Sequence, residues 1–248
     1  MQVQYLHIDS TPSTNDFLAE MLKTENLQTG FVVACNFQTG GKGQAGNKWE
    51  AERGKNLIFS ILFRPKNLTV NKNFILAQAT SLAIKSVLDE YLTNNSCEKF
   101  KIKWSNDIYW QQKKICGILI ENTLKGEKIE HSIIGIGLNV NQLYFSKTIP
   151  NPISLCQITG KQYDSLNEIL EKICQKILTF LNDTNNYPNI KLQYFNALER
   201  NDGFYDFRTN ENFTFSAKIV EVKDDGKLIL QTPEGDRCGF YFKEIIFV

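Results

Sequence analysis

The chain has 248 residues, and its 28 Lys and Arg against 27 Asp and Glu leave a net charge of +1. That length suits one sizeable core plus a small satellite domain, and the near balance of charge argues against nucleic acid or a membrane surface as a bulk partner. No apolar run approaches the roughly 18 residues of a spanning helix. Cys35, Cys97, Cys116, Cys156, Cys174 and Cys238 never form C-x-x-C, so they read as reduced, buried thiols of a cytoplasmic protein.

Met1 to Asp9 has neither the basic nor the long apolar region of a signal peptide, and Val3 to Ile8 reads as a short strand. Ser13-Thr14-Asn15-Asp16 then precedes Phe17, Leu18, Met21 and Leu22, which fall at helical spacing. Ser13 with Asp16 resembles a capping box with Asp in place of Glu or Gln, so these polar residues cap a helix, line a site, or both. Phe31 to Cys35 and Leu57 to Phe63 read as strands.

Between those strands lies Gln38 to Trp49, carrying Gly40, Gly41, Gly43 and Gly46 with Lys42, Lys48 and Trp49. Glycine accepts dihedrals that side chains forbid, so such a loop can fold its N–H groups around an anion. Gly41, Gly43 and Gly46 spell G-x-G-x-x-G, but the dinucleotide fingerprint needs a helix at once, and the segment to Leu57 is too short for one. Asn47 stands where a Walker loop needs lysine. The further motifs that a kinase glycine loop requires are absent.

Asn73 through Leu92 reads as a long helix. Lys101 to Trp104, Ile108 to Trp110, Ile115 to Ile120 and Ser132 to Val140 read as strands, and Ser165 to Leu181 as an amphipathic helix. Composition shifts after Tyr187-Pro188-Asn189. From about Leu198 the pattern is all-β, with Phe213 to Val222, Lys227 to Gln231, Arg237 to Phe242 and Ile245 to Val248 as strands around two Gly-containing turns. The expected fold class is α+β: a mixed, mostly antiparallel sheet with helices on one face, over 1–197, and a small C-terminal β-barrel over 198–248.

Two further stretches carry chemistry. Lys103-Trp104-Ser105-Asn106-Asp107, followed by Lys113-Lys114-Ile115-Cys116-Gly117, reads as a strand–turn–strand hairpin that would bring lysine, carboxylate and amide within reach of one point, or else as a polar hairpin rim with solvated lysines. Gly135-Ile136-Gly137-Leu138-Asn139-Val140-Asn141 alternates glycine through a strand, which admits a close neighbour, be it ligand or packing partner.

Taken in order, Ser13-Thr14-Asn15, Gln38 to Trp49, Lys103 to Asp107, Lys114 to Glu121 and Gly135 to Asn141 resemble the motifs of the biotin protein ligase family, of the type without an N-terminal DNA-binding domain. Ser105 departs from the family's usual proline, and Gln44 stands where some members have arginine. The resemblance implies an ATP-dependent ligase of class II synthetase-like fold with ATP and biotin as substrates and Mg²⁺ as the ion. Ser13, Thr14, Asn15, Gln38, Gly41, Lys42, Gly43, Gln44, Lys114 and Gly117 would bind biotin. Trp49, Lys103, Asn106, Asp107, Lys114 and Asn139 would bind ATP. Lys114, Lys42 and Asp107 would be catalytic, with Asp107 also at the metal. The implied partner is the biotin carboxyl carrier domain of a carboxylase, with no specific DNA binding, no membrane, and a monomer or homodimer. A lipoate or octanoate ligase of the same fold, or a non-catalytic biotin-binding regulator, are the alternatives.

Overall fold

The computed structural model describes residues 3–93, 98–183 and 186–248. The main sheet is mixed and mostly antiparallel, as expected. Its parallel pair is β1 (Gln4–Thr11) with β2 (Phe31–Gln38); β3 (Leu57–Phe63), β7 (Lys128–Leu138), β6 (Lys113–Lys125), β5 (Asp107–Trp110) and β4 (Lys101–Lys103) follow across the sheet in antiparallel order.

The central strand β3 is apolar at every position except Ser60 because both its faces are covered. Phe59 and Ile61 pack into the large core with α2 (Ile75–Asp89) and α4 (Leu166–Asn182), whose apolar residues recur at helical spacing. Leu62, with Val33 and Ile133, packs instead on Leu18 of α1 (Thr14–Thr24). One residue's shift along a strand changes its face, so α1 lies on the side opposite α2 and α4. Helices on one face therefore describe α2 and α4 but not α1.

Two short helices were not legible. α3 (Leu155–Thr159) closes with Gly160, and α5 (Tyr187–Ala197) begins where Tyr187-Pro188-Asn189 reads as a break. Proline in a first helical turn loses no bond, because that N–H has no intrahelical partner. From α5, the buried Tyr194 hydroxyl donates to the Ser105 carbonyl, tying this helix to the turn before β5.

The C-terminal strands β8 (Tyr205–Thr209), β9 (Thr214–Val222), β10 (Leu228–Gln231), β11 (Arg237–Phe240) and β12 (Ile245–Phe247) form a second sheet ordered β11-β10-β9-β8-β12. β11 and β12 are its two edges and do not pair, so the sheet is open and the expected barrel is corrected. Its Phe207, Ile219 and Leu230 belong to the same core cluster as α2 and β3. Trp104 Nε1 donates to Gly226 O at 3.0 Å across the junction. Cys35, Cys116, Cys156 and Cys174 are free and buried, whereas Cys238, on the short edge strand β11, is exposed, contrary to expectation; Cys97 lies outside the described residues. Among the described residues no helix is long and apolar enough to cross a membrane.

Candidate functional site

A cleft opens over the face of the central strands, beside the start of α1 and beneath the glycine loop. Ser13 caps α1, its hydroxyl accepting from Asp16 N–H at 3.3 Å. The cap fixes the first turn and so places Thr14 and Asn15 against the sheet, 2% and 3% exposed. Asp16 does not complete a capping box; its carboxylate pairs with Lys42 at 2.6 Å instead. That bond raises the Lys42 pKa above the usual lysine value.

At this end of the cleft the polar atoms interlock. Thr14 N–H donates to Gln38 Oε1 at 2.7 Å, and the Thr14 hydroxyl lies 3.1 Å from the same oxygen. Asn15 Nδ2 donates to Glu121 Oε2 at 2.6 Å and reaches Leu119 O at 3.4 Å. Ser60, fully buried on β3, sits between the two residues. A Cβ at residue 135 would lie 2.4 Å from Asn15 Oδ1, so glycine is required there for Asn15 to enter.

The loop closes as a narrow ribbon. Gly43 N–H donates to Asn47 O at 2.7 Å and Trp49 N–H to Gly41 O at 3.0 Å, with one 3₁₀ turn at Gln44–Gly46. No helix follows, as the rejection of the dinucleotide fingerprint requires. Trp49 lays its ring on the strand: a Cβ at residue 137 would meet it at 2.3 Å, which is the close neighbour that Gly137 admits. The enclosed space is about 80 Å³, well short of the roughly 300 Å³ at the low end for small-molecule sites.

At the other end Lys114 Nζ pairs with Asp107 at 2.6 Å, the two side chains 31% and 29% exposed, with the ammonium 5.9 Å from the centre of the Trp49 ring. The backbone of Lys114 is pinned by Asn151 O at 2.7 Å and Ile153 N–H at 3.0 Å. Asp107 is the single carboxylate lining the cleft, and among the described residues no group of three or more His, Cys, Asp or Glu gathers anywhere.

The cleft thus brings together Ser13, Thr14, Asn15, Gln38, Lys42, Gly43, Gln44, Trp49, Asp107, Lys114 and Gly117. Gly41, Lys103, Asn106 and Asn139 do not line it. Lys103 Nζ points at the rings of Tyr109 and Phe247, 4.9 and 5.6 Å from their centroids, where burial holds its pKa below the usual lysine value. Asn106 Nδ2 donates to Ile118 O at 2.8 Å, and Asn139 Nδ2 to Ile153 O at 3.1 Å, so both brace the walls. Asn139 Oδ1 is buried with no partner among the described residues. The two departures from the family pattern face each other, with Ser105 Oγ 3.4 Å from Gln44 Oε1.

Residues 7–139, more than half of the chain, match the biotin/lipoate A/B protein ligase family. The chain belongs to that family. Among relatives of this ligase, the bifunctional ligase/repressor BirA of Bacillus spizizenii is 29% identical over 240 residues, covering 94% of this chain and 71% of that protein. Human biotin–protein ligase is 30% identical over 141 residues, covering 54% of this chain and 19% of that one. The biotin protein ligase of Aquifex aeolicus in complex with biotin and ATP superposes with a TM-score of 0.76 at 26% identity, covering 99% of this chain and 98% of that one. Within the family, then, the resemblance is to biotin protein ligases.

Two residues behind the cleft wall and one that lines it escaped sequence reasoning. Ser60 looks like a polar spacer in an apolar strand, and Glu121 like the outer end of a strand motif. Phe242 arrives from the loop between β11 and β12, and no local pattern marks a residue that reaches a site from another sheet.

Proposed function

We propose that this protein is a biotin protein ligase that converts biotin and ATP to biotinyl-AMP and then biotinylates a lysine of a carrier domain. The observation that carries this reading is one cleft with two unlike ends. Ser13, Thr14 and Gln38 offer donors and acceptors suited to a ureido ring while Asn15 shapes the wall behind them, and Lys114 with Asp107 stands at the other end.

In the first step a biotin carboxylate oxygen bonds to the α-phosphorus while the bond to the β-phosphate bridging oxygen breaks, releasing pyrophosphate. Two anions meet there, and the Lys114 ammonium screens them as charge crowds in the transition state. Lys42, held at the loop by Asp16, adds a second cation. Trp49 covers the strand floor and, once displaced, offers its face to the bicycle or the adenine. In the second step the acceptor amine attacks the acyl carbon and AMP leaves. That amine has an ordinary pKa of about 10.4, so Asp107 takes up its proton. Magnesium is bound typically through one or two carboxylates plus substrate phosphates. Asp107 alone meets that need, and magnesium would neutralise phosphate charge there.

The test is pyrophosphate exchange with ATP and Mg²⁺, comparing biotin with lipoate, followed by transfer to a carrier domain. Biotin is expected to be favoured by roughly 10⁴-fold, because a site built for hydrogen bonds rejects a ligand that lacks them. Equal exchange with the two acids would move the protein to the lipoate side of its family.

A further inference from the structure

The three residues before Asp107 are each tied to a different part of the molecule. Trp104 Nε1 donates to Gly226 O at 3.0 Å, in the turn between β9 and β10. The Ser105 carbonyl accepts from the Tyr194 hydroxyl of α5. Asn106 Nδ2 donates to Ile118 O on β6 at 2.8 Å, and the Ser105 hydroxyl donates to Asn106 Oδ1 at 2.7 Å. Asp107 follows directly, its carboxylate 2.6 Å from Lys114 Nζ. The tie from Tyr194 is held with little freedom. Tyr194 is fully buried, and Phe74 meets its ring edge-on at 5.7 Å. Phe74 is backed in turn by Gly226, where a Cβ would lie 2.6 Å from the Phe74 ring. Burial, and after it the Asp107 carboxylate, raise the Tyr194 pKa well above the usual tyrosine value, so the hydroxyl keeps its proton for Ser105. Ser105 is itself buried, and a buried carbonyl that loses its donor carries a penalty that movement of the turn would relieve.

We infer that Tyr194 is a positioning residue for the reaction, holding the Asp107 carboxylate against Lys114 by way of the Ser105 carbonyl. Tyr194 does not line the cleft, so it acts only through what it holds. Its reach ends at Asp107, because the backbone of Lys114 is pinned separately by Asn151 O and Ile153 N–H. A turn released from Tyr194 carries the carboxylate away from an ammonium that stays in place. That misplaces the partner of the cation in the first step and the proton acceptor in the second. The Thr14 end, built on α1 and β2, keeps its geometry. The inference rests on the cleft being the biotin ligase site with Asp107 in the role given above, and it adds what fixes that carboxylate.

The test is Tyr194→Phe, which removes one oxygen and keeps the ring, read by pyrophosphate exchange and by single-turnover transfer from preformed biotinyl-AMP. Both rates should fall about tenfold, the worth of one hydrogen bond, with KM for biotin unchanged. Tyr187→Phe is the control. It removes another α5 hydroxyl, bonded to Leu181 O at 3.0 Å, and should leave both rates as they were even if the denaturation midpoint falls as far. The deciding comparison repeats Tyr194→Phe in an Asp107→Ala background, where no carboxylate is left to position. There the further loss in exchange should stay within about twofold, because two residues acting through one group are not additive. An equal loss in both backgrounds makes Tyr194 a support of the fold in general and overturns the inference. Unchanged rates in Tyr194→Phe alone, or a loss that Tyr187→Phe reproduces, overturn it too, as does a loss carried by KM for biotin. No biotin-dependent exchange in the unmutated protein overturns the biotin reading, and the inference with it.

Discussion

The two ends of the cleft are built by opposite means. At the Thr14 end the side chains are buried, sit on a helix start and central strands, and satisfy one another through short bonds. At the Lys114 end the ion pair is about a third exposed, and the nearby loop is held by a handful of backbone bonds and the half-exposed Lys42–Asp16 pair. If biotin sits as proposed, its recognition is paid for in advance at the first end, by folding. At the second, order is left to the ligands, whose own charges complete the arrangement. Selectivity should therefore reside in groups that barely move, and rate in groups that do.

The largest effect that would sharpen this contrast is expected from Lys114→Met, which keeps the stem and removes the charge. Adenylate formation should fall by roughly 10² to 10³, while single-turnover transfer from preformed biotinyl-AMP falls less. Exchange within about threefold of the unmutated rate, under 1 kcal/mol, would make Lys114 a rim lysine and leave the contrast without its reactive end. Next comes Thr14→Val, nearly isosteric but without the hydroxyl: KM for biotin should rise about tenfold at nearly constant kcat, and a matching drop in kcat would show that the buried end also serves the chemistry.

A smaller effect is expected in the loop. Protease nicking between Gly40 and Asn47 should slow several-fold when biotin and ATP are added, because ordering glycines costs more backbone entropy than ordering other residues. Equal cleavage with and without ligand would place the loop on the preorganised side. The smallest belongs to Asp16→Asn. An exposed ion pair contributes on the order of 0 to 1 kcal/mol, so a denaturation midpoint should hardly shift near neutral pH. The Lys42 pKa is raised in the folded state, so the pair's contribution is full below the ordinary lysine value and fades only as pH rises through the raised one. A midpoint shift that appears only above the raised Lys42 value would contradict that sign.

Legibility in the sequence followed the range of the forces involved. β3 was readable to the residue, because a fully buried central strand is apolar at every position but one. The exception, Ser60, is the position whose meaning depends on Thr14 and Asn15 across the sheet, and nothing nearby in the chain announces them. α5 was hidden by Pro188, which reads as a breaker unless its place in the first turn is known, although Ile190, Tyr194 and Ala197 keep helical spacing and are buried. The barrel was expected because short strands and turns are local signals, whereas closure depends on whether the two edges meet. Placing Lys103 and Asn106 by their motif did not reveal that the first turns to the second sheet and the second braces the wall.

The aromatic ring of Phe242 has a consequence in time as well as in space. It lines the cleft from the loop between β11 and β12, just before Ile245–Phe247 pairs with β8, and follows Thr14 to Glu121 by more than a hundred residues of chain. A ribosome therefore delivers the recognition end, from Thr14 to Glu121, long before it delivers the last piece of wall. A nonsense codon or clipping near residue 241 would leave a chain without that piece of the cleft wall.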